Sequence, residues 1–220
     1  MAEGSSSAYG NSADHTPQDI RWMPGRDPSR NWAITRAQPV ASLLVAGTLW
    51  GFTRSVPPPA ELVGKRLIIT AGVGHEAFRD ADETGWAAVA AYCGETLSPF
   101  DIPGGRHAIF KRCVKTLPVG MSVGAVRLAG AFIIDRMMDG KVYANLRSGG
   151  KYGLGPGERA MGIWREFDGQ PLAQLERITP GRWMWCFDAA HEFDLDFRVK
   201  VKGFGGLWDY EKGLKLRGAL

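Results

Sequence analysis

The stretch "AITRAQPVASLLVAGTLWGFTR", Ala33 to Arg54, decides how this chain folds. Ala33 to Ala37 predict a short strand. Pro39 stands where a helix starts, its missing N–H being one of the donors a first turn leaves unused, and Val40, Leu43 and Leu44 give the one-face spacing of a short amphipathic helix. Gly47 supplies the C-terminal stop, and a segment with Leu49, Trp50 and Phe52 then runs to a single charge, Arg54. A strand, a short helix and a second apolar segment within so few residues point to a small mixed or barrel-like domain in which strands dominate.

Outward from that stretch, "VPPPAELVG" predicts a loop, because Pro57, Pro58 and Pro59 remove donors and exclude helix, and "KRLIITA" predicts a buried strand. "DETGWAAVAAYCG" carries Trp86, Val89, Ala90 and Cys93 along one helical face and ends on Gly94. "HAIFKRCVKTL" fits helix or strand equally. "SVGAVRLAGAFII" is β-branched and apolar, hence a central strand, with Gly124 and Gly130 as expected bulges or close approaches. Residues 139–157, ending in "SGGKYGLGPG", are expected to be a long loop. That loop lacks the preceding strand and the Gly-Lys-Ser/Thr of a nucleotide cradle. "GRWMWCFDAAHEFDLDFRVKVKG" offers two strands, with Trp183, Trp185 and Phe187 alternating in the first and Phe197, Val199 and Val201 in the second. Leu67, Ile69, Val123, Val126, Trp185 and Val199 are expected to share one core.

The chain has 220 residues, enough for one sizeable core, and its 45% hydrophobic and 23% charged content exclude wholesale disorder and fibrous classes. Residues 1–31 lack periodicity and are expected to be a disordered tail, 32–210 the domain, and 211–220 a short basic tail. No run approaches the roughly 18 apolar residues that span a bilayer, so no membrane partner is expected. "MAEGSSSAYGNSADHTPQD" lacks the basic start and apolar stretch of a secretory signal, which predicts a cytoplasmic protein. Cys93, Cys113 and Cys186 form an odd set without paired spacing; neither a disulfide framework, a metal nor a cofactor is expected.

Net charge is only +4, but it is unevenly placed. Segment 76–101 carries Glu76, Asp80, Asp82, Glu83, Glu95 and Asp101 against Arg79 alone, and is a candidate docking face for a protein partner. Residues 106–115 and 197–220 are the basic segments. Clustered Lys and Arg favour a polyanion, because meeting phosphates releases counterions; the other reading is a solvated surface.

The motifs of the chain, in order, resemble the ASCH domains of the PUA-like superfamily. "QPVASLLVAG", Gln38 to Gly47, resembles the family's Gln-Pro-x-Ala-Ser motif and helix, and Arg54 the arginine that closes its Gly-x-Lys-x-x-x-x-Arg pattern. "GKRLIITA", "LPVGMSVGAVRLAG", "GRWMW" and "VKVKGFGGLW" resemble its later strands, over about residues 32–210. The resemblance implies an α+β, mainly β fold, a PUA-like (ASCH) β-barrel with flanking short helices. It also implies a cleft where the first helix and its following segment meet the barrel, and RNA or nucleoside ligands. Enzymatic relatives, which cleave RNA or deacetylate modified cytidine, carry a lysine and a polar residue where this chain has Leu49 and Phe52. A leucine can be neither nucleophile nor base, so the lysine-dependent chemistry is missing.

What remains is a binding constellation. Arg54 offers a planar fork for a phosphate or base edge, or else a salt bridge tying its segment to the barrel. Gln38 is a hydrogen-bonding candidate for a base or a helix cap, Ser42 lies one helical turn on, and Trp50 and Phe52 are stacking candidates or core. Strict alternation in "FRVKVKG" predicts Arg198, Lys200 and Lys202 on one strand face, roughly 6 to 7 Å apart, with Gly203 allowing close backbone approach. Lysines that discourage edge pairing are the other reading of that row. The weak catalytic candidates are His75 and Glu76 as an acid–base pair and Lys65. His191 and Glu192 raise the same suspicion, yet adjacent residues on a strand point oppositely. The sequence thus predicts an RNA- or modified-nucleoside-binding module, with RNA or another single-stranded nucleic acid as partner. An RNA-processing enzyme with a displaced catalytic group and a protein–protein adaptor are the alternatives.

Overall fold

The computed structural model describes residues 31–49, 51–73, 83–94, 105–138, 141–145 and 179–215. The expected order of elements holds at the start. Strand β1 (Trp32–Arg36) leads through Pro39, the N-cap, into helix α1 (Val40–Val45). Gly47 ends the helix at φ +74, a left-handed conformation that any side chain would strain, and strand β2 (Gly51–Arg54) follows. The Pro-rich loop holds one 3-10 turn, Ala60–Leu62. Strand β3 (Arg66–Ala71), helix α2 (Glu83–Tyr92), helix α3 (Gly105–Thr116) and strands β4 (Met121–Met138), β5 (Lys141–Asn145), β6 (Trp183–Glu192) and β7 (Leu207–Asp209) complete the sheet, and helix α4 (Tyr210–Lys215) comes after it.

The seven strands form one mixed sheet in the order β2-β6-β4-β3-β1-β7, with β5 on the far half of β4. Only β1 and β3 run parallel. In a flat sheet the four spacings of about 4.8 Å between β2 and β1 would hold them about 19 Å apart. Yet the Arg36 guanidinium on β1 lies 4.6 Å from the Phe52 ring centroid on β2, so the sheet is curled until its ends face each other. The fold is therefore α+β and mainly strand. The expected barrel is not closed, because β2 and β7 end the hydrogen-bonded order without pairing among the described residues.

Curling divides the apolar residues between two faces. Inside lie Ile34, Leu67, Ile69, Val123, Val126, Phe132, Trp185 and Phe187, and the wholly buried helix α1 packs against this face beside Leu49 and Phe52. Outside, Ala33, Ile68, Ala125, Val201, Trp208, Tyr210 and Leu214 form a second cluster, reached by the alternate residues of the same strands. Five of the residues expected in one core share the inner cluster; Val199 instead packs, half-buried, on the outer one.

Bulges bend the long β4. Its register against β3 shifts between Ile69 and Thr70, and against β6 between Arg127 and Gly130. Gly124 is the close approach expected of it: an added Cβ would lie 2.3 Å from the His191 carbonyl oxygen and 2.7 Å from Val45 of α1.

One open reading is settled and three expectations need correction. The undecided segment "HAIFKRCVKTL" is helical. Residues 141–145 of the expected 139–157 loop form β5, and the rest of that loop lies outside the described residues. "FRVKVKG" is not a strand. It holds the end of a 3-10 turn, Leu195–Phe197, and one isolated bridge, Lys200 to Met121, and Phe197 is 55% exposed rather than inward. Residues 211–215 of the expected 211–220 tail belong to helix α4 (Tyr210–Lys215), with Tyr210 and Leu214 buried in the outer cluster. Among the described residues Cys93, Cys113 and Cys186 take part in no disulfide. No helix among the described residues is long and apolar enough to cross a membrane.

Candidate nucleic-acid interface at the open end of the sheet

Alternation along two strands aims two arginines into the curl. Ile34 is buried in the inner cluster, so Arg36, two residues on, faces the same side; Phe52 is buried there as well, and Arg54 follows it in the same way. Each arginine lies over an aromatic ring. The Arg36 Cζ is 4.6 Å from the Phe52 centroid and the Arg54 Cζ 5.7 Å from the Trp185 centroid, and the two rings are themselves 5.7 Å apart. Ring faces attract cations, so Phe52 and Trp185 act as platforms for the two guanidinia. A third arginine joins them. Arg54 is registered against Trp183 on β6, and Arg182, the residue before that strand, donates from Nη2 to the Thr53 carbonyl at 3.5 Å.

Burial and neighbouring positive charge both act on Arg36 and Arg54. Burial, then Arg54, then Arg182 push the Arg36 guanidinium down to about 10, and burial followed by Arg182 lowers that of Arg54. Among the described residues neither Arg54 nor Arg182 is paired with a carboxylate; the ion pairs found there are Arg127 with Asp188 and Arg198 with Glu192. The Arg182 Nε is buried with no hydrogen-bond partner. Of the two readings of Arg54, the salt-bridge tie therefore has no acid to rest on among the described residues. On the side toward β7 stand Gly205 and Gly206, the latter at φ +84 with the Arg54 Nη2 3.6 Å from where its Cβ would be. Gly206 therefore lies against the Arg54 guanidinium, where a side chain would be in contact with it.

The other expected residues fall elsewhere. Gln38 and Ser42 are fully buried and bonded to each other: Gln38 Nε2 donates to Ser42 Oγ at 3.0 Å and to the Pro118 carbonyl at 2.6 Å, and the Ser42 N–H donates to Gln38 Oε1 at 3.3 Å. This is the helix-cap reading of Gln38, tying α1 to the start of β4. Phe52 is a core ring covered by Arg36, so its role is platform rather than exposed stacking surface. Leu49 is buried beside it.

Arg198 does not join an outward row of charge. It donates from Nη2 to Glu192 Oε1 at 2.7 Å and from Nε to the Phe193 carbonyl at 3.0 Å, while Tyr92 OH donates to the same Glu192 oxygen at 2.5 Å. Burial, then the bond to Glu192, raise the Tyr92 hydroxyl above its ordinary value. That network binds α2 to β6 and engages Glu192, leaving His191 exposed beside the Phe193 ring. Lys200 and Lys202 are exposed, as is Lys65. Gly203 approaches the protein's own β1, a Cβ there meeting Thr35 Oγ1 at 2.8 Å. Trp50, His75 and Glu76 lie outside the described residues, as does most of the acidic segment 76–101. No group of His, Cys, Asp and Glu among the described residues could hold a metal ion.

Arg36 and Arg182 escape a sequence reading that weighs runs of charge, since each stands alone among apolar residues. The usable signal was local. Arg36 repeats the inward phase of Ile34, and Arg182 precedes the aromatic strand that Arg54 pairs with. No protein-family model matches the chain, and no curated protein is significantly similar to it.

Proposed function

We propose that the protein is an ASCH-like, PUA-related module that binds RNA or a modified nucleoside in the cytoplasm through the arginine-lined mouth of its curled sheet. One observation carries this reading. Arg54, the arginine of the family-like motif, is half-buried beside Arg182, and neither has a carboxylate partner among the described residues. A guanidinium removed from water and set beside another is unfavourable on its own, and an arriving phosphate reverses the sign of that interaction. Backing by Trp185 fixes the plane of the fork, which suits bidentate contact. The adjoining lysines, Lys200 and Lys202, add exposed positive charge.

The lysine-dependent reaction of enzymatic relatives is not part of this proposal. The Leu49 position is apolar and enclosed in the core, where no substrate amide reaches it. An enzyme with a displaced group at Lys65, His75 or Glu76, or an adaptor docking through 76–101, would each give a different result in the test that follows. Binding of a fluorescent single-stranded RNA is measured across a salt series with wild type, Arg54→Lys and Lys200→Ala/Lys202→Ala. Arg54→Lys should weaken binding by on the order of 1 to 3 kcal/mol with little change in salt slope, and each lysine change should lower the slope by roughly one unit. Unchanged RNA affinity in Arg54→Lys sinks the role of this mouth. Turnover of RNA or N4-acetylcytidine would favour the enzyme, and salt-insensitive capture of a protein the adaptor.

A further inference from the structure

We infer that an RNA strand held at the arginine mouth continues outward past Lys202 and Lys200 onto helix α3, where Lys111 and Lys115 hold its next phosphates. This path presupposes the RNA binding proposed above and adds to it the basic segment 106–115, which the mouth leaves unused. In the sequence the basic stretches stand far apart; the fold sets them in line. Val201, between Lys200 and Lys202, donates its N–H to the Gly120 carbonyl at 3.0 Å, and Gly120 comes four residues after the end of α3 at Thr116. Lys200 itself bridges to Met121, the first residue of β4. At the other end Gly206, four residues past Lys202, lies against the Arg54 guanidinium.

Chain length bounds the path. Lys115 is five residues from Gly120 and Lys202 four from Gly206, so a fully extended backbone allows at most about 18 Å and about 14 Å for those two steps. Lys111 lies one helical turn before Lys115, about 6 Å along the axis. From Arg54 to Lys111 the path is thus at most about 45 Å, which an extended single strand covers in about seven nucleotides, within the range that grooved β-domains take.

The charge along it has one sign. Lys111, Lys115, Lys200 and Lys202 are exposed, and among the described residues none of the four is in an ion pair. Residues 102–134 carry Arg106, Lys111, Arg112, Lys115 and Arg127 without one Asp or Glu, and residues 197–208 carry no acid either. Asp194 and Asp196, on the 3-10 turn before Arg198, bound the run on that side. Lys111 and Lys115 stand at i and i+4, where like charges destabilise a helix, and α3 contains no carboxylate to offset them. A phosphate backbone offsets them and releases its own counterions. Protein interfaces, by contrast, are depleted in lysine and centred on apolar side chains, so the occupant these residues fit is the nucleic acid.

The test measures binding of fluorescent oligouridylates of four and ten nucleotides to the full chain across a salt series, for wild type, Arg54→Lys, Lys111→Ala/Lys115→Ala and Lys111→Arg/Lys115→Arg. The alanine pair should bind the decamer about tenfold more weakly, with a salt slope lower by roughly one unit for each lysine, and should bind the tetramer, held at the mouth, as wild type does; the arginine pair should restore the decamer. Alanine is the better helix former, so the alanine pair should melt no lower than wild type. Decamer affinity and slope unchanged in the alanine pair overturn the inference, and if Arg54→Lys still weakens both oligomers the RNA reading stands. A loss in the alanine pair with none in Arg54→Lys also overturns it, because the strand would then lie on α3 without entering the mouth. If neither oligomer binds, both readings fall. Binding to phosphatidylserine vesicles that the alanine pair loses, with its decamer binding intact, would assign the helix to a lipid surface instead.

Discussion

Gly124→Ala puts one methyl group into the tightest backbone contact of the sheet. Its Cβ would lie 2.3 Å from the His191 carbonyl oxygen on β6 and 2.7 Å from both Cβ and Cγ1 of Val45 on α1. No flexible side-chain end can give way there: the carbonyl belongs to the β4–β6 ladder, and the helix is buried on all sides. Overpacking of this kind costs about 3 kcal/mol. The substitution also stiffens the unfolded chain, returning about 0.7 kcal/mol, because Gly124 is not in a left-handed conformation. The net loss of about 2 kcal/mol, at roughly 2 to 4 °C per kcal/mol for a chain of this size, lowers the melting temperature by about 4 to 8 °C. Gly64→Ala supplies the contrast: nothing lies within 4 Å of its Cβ, but φ is +79, so only backbone strain of about 1 kcal/mol applies. Denaturant melts of both variants give the comparison. Gly124→Ala within about 0.5 kcal/mol of wild type, or milder than Gly64→Ala, would refute the packing of α1 on β4 and β6.

Other substitutions separate competing effects elsewhere. At Gly213, inside α4, helix propensity alone makes Ala stabilising by about 1 kcal/mol. The Trp208 ring would contact that methyl, however, so Gly213→Ala should destabilise by about 1 to 2 kcal/mol in a denaturant melt, and a gain in stability would mean Trp208 is not held there. Tyr92 has a raised pKa in the folded state, so its contribution is complete below pH 10 and is lost as pH rises through the folded value. Tyr92→Phe should cost about 1.5 kcal/mol at pH 7 and flatten the alkaline loss of stability between pH 9 and 11; an unchanged alkaline slope argues against the Glu192 bond. Leu49→Lys buries an ammonium group among apolar side chains and should cost roughly 3 to 5 kcal/mol without producing N4-acetylcytidine turnover, both read on the same purified variant. Turnover by a stable Leu49→Lys protein would mean that position opens to substrate.

The sequence is most legible where one residue type has one physical use. Gly47 and Gly94 end their helices at φ +74 and +76, and Gly124 marks a close approach, as composition alone predicted. Trp183 to Phe187 read correctly as a strand because both its faces are covered. The failures share a cause. "FRVKVKG" alternates as a strand does, but alternation states only which residues would face inward if a partner were present, and the segment finds a single bridge. β5 was hidden because five residues that follow Gly140 and precede a Gly-rich stretch carry too short a pattern to outweigh the surrounding loop signal. At the candidate site, Arg54 was singled out through its motif. Arg36 and Arg182 were not, because their proximity follows from the curl of the sheet, which depends on pairings among strands far apart in the chain. Lys200 and Lys202 drew attention as a run, yet the structure gathers its desolvated charge from isolated arginines.

The pairing of β1 with β7 has a consequence for the order of synthesis. Ala33 lies opposite Trp208, and the bond from Trp208 Nε1 to Thr35 Oγ1 spans 173 residues. A ribosome adding 5 to 20 residues per second needs roughly 10 to 35 s to deliver the last strand after the first. β1 can find its parallel partner β3 early, through Ala33 and Ile68, but its other edge, from Trp32 to Ile34, then remains an unpaired row of amides and carbonyls for most of translation. A message broken before the codon for Leu207 would release a polypeptide with that edge permanently bare, one able to pair with its own nascent copies and a natural target for holdase chaperones.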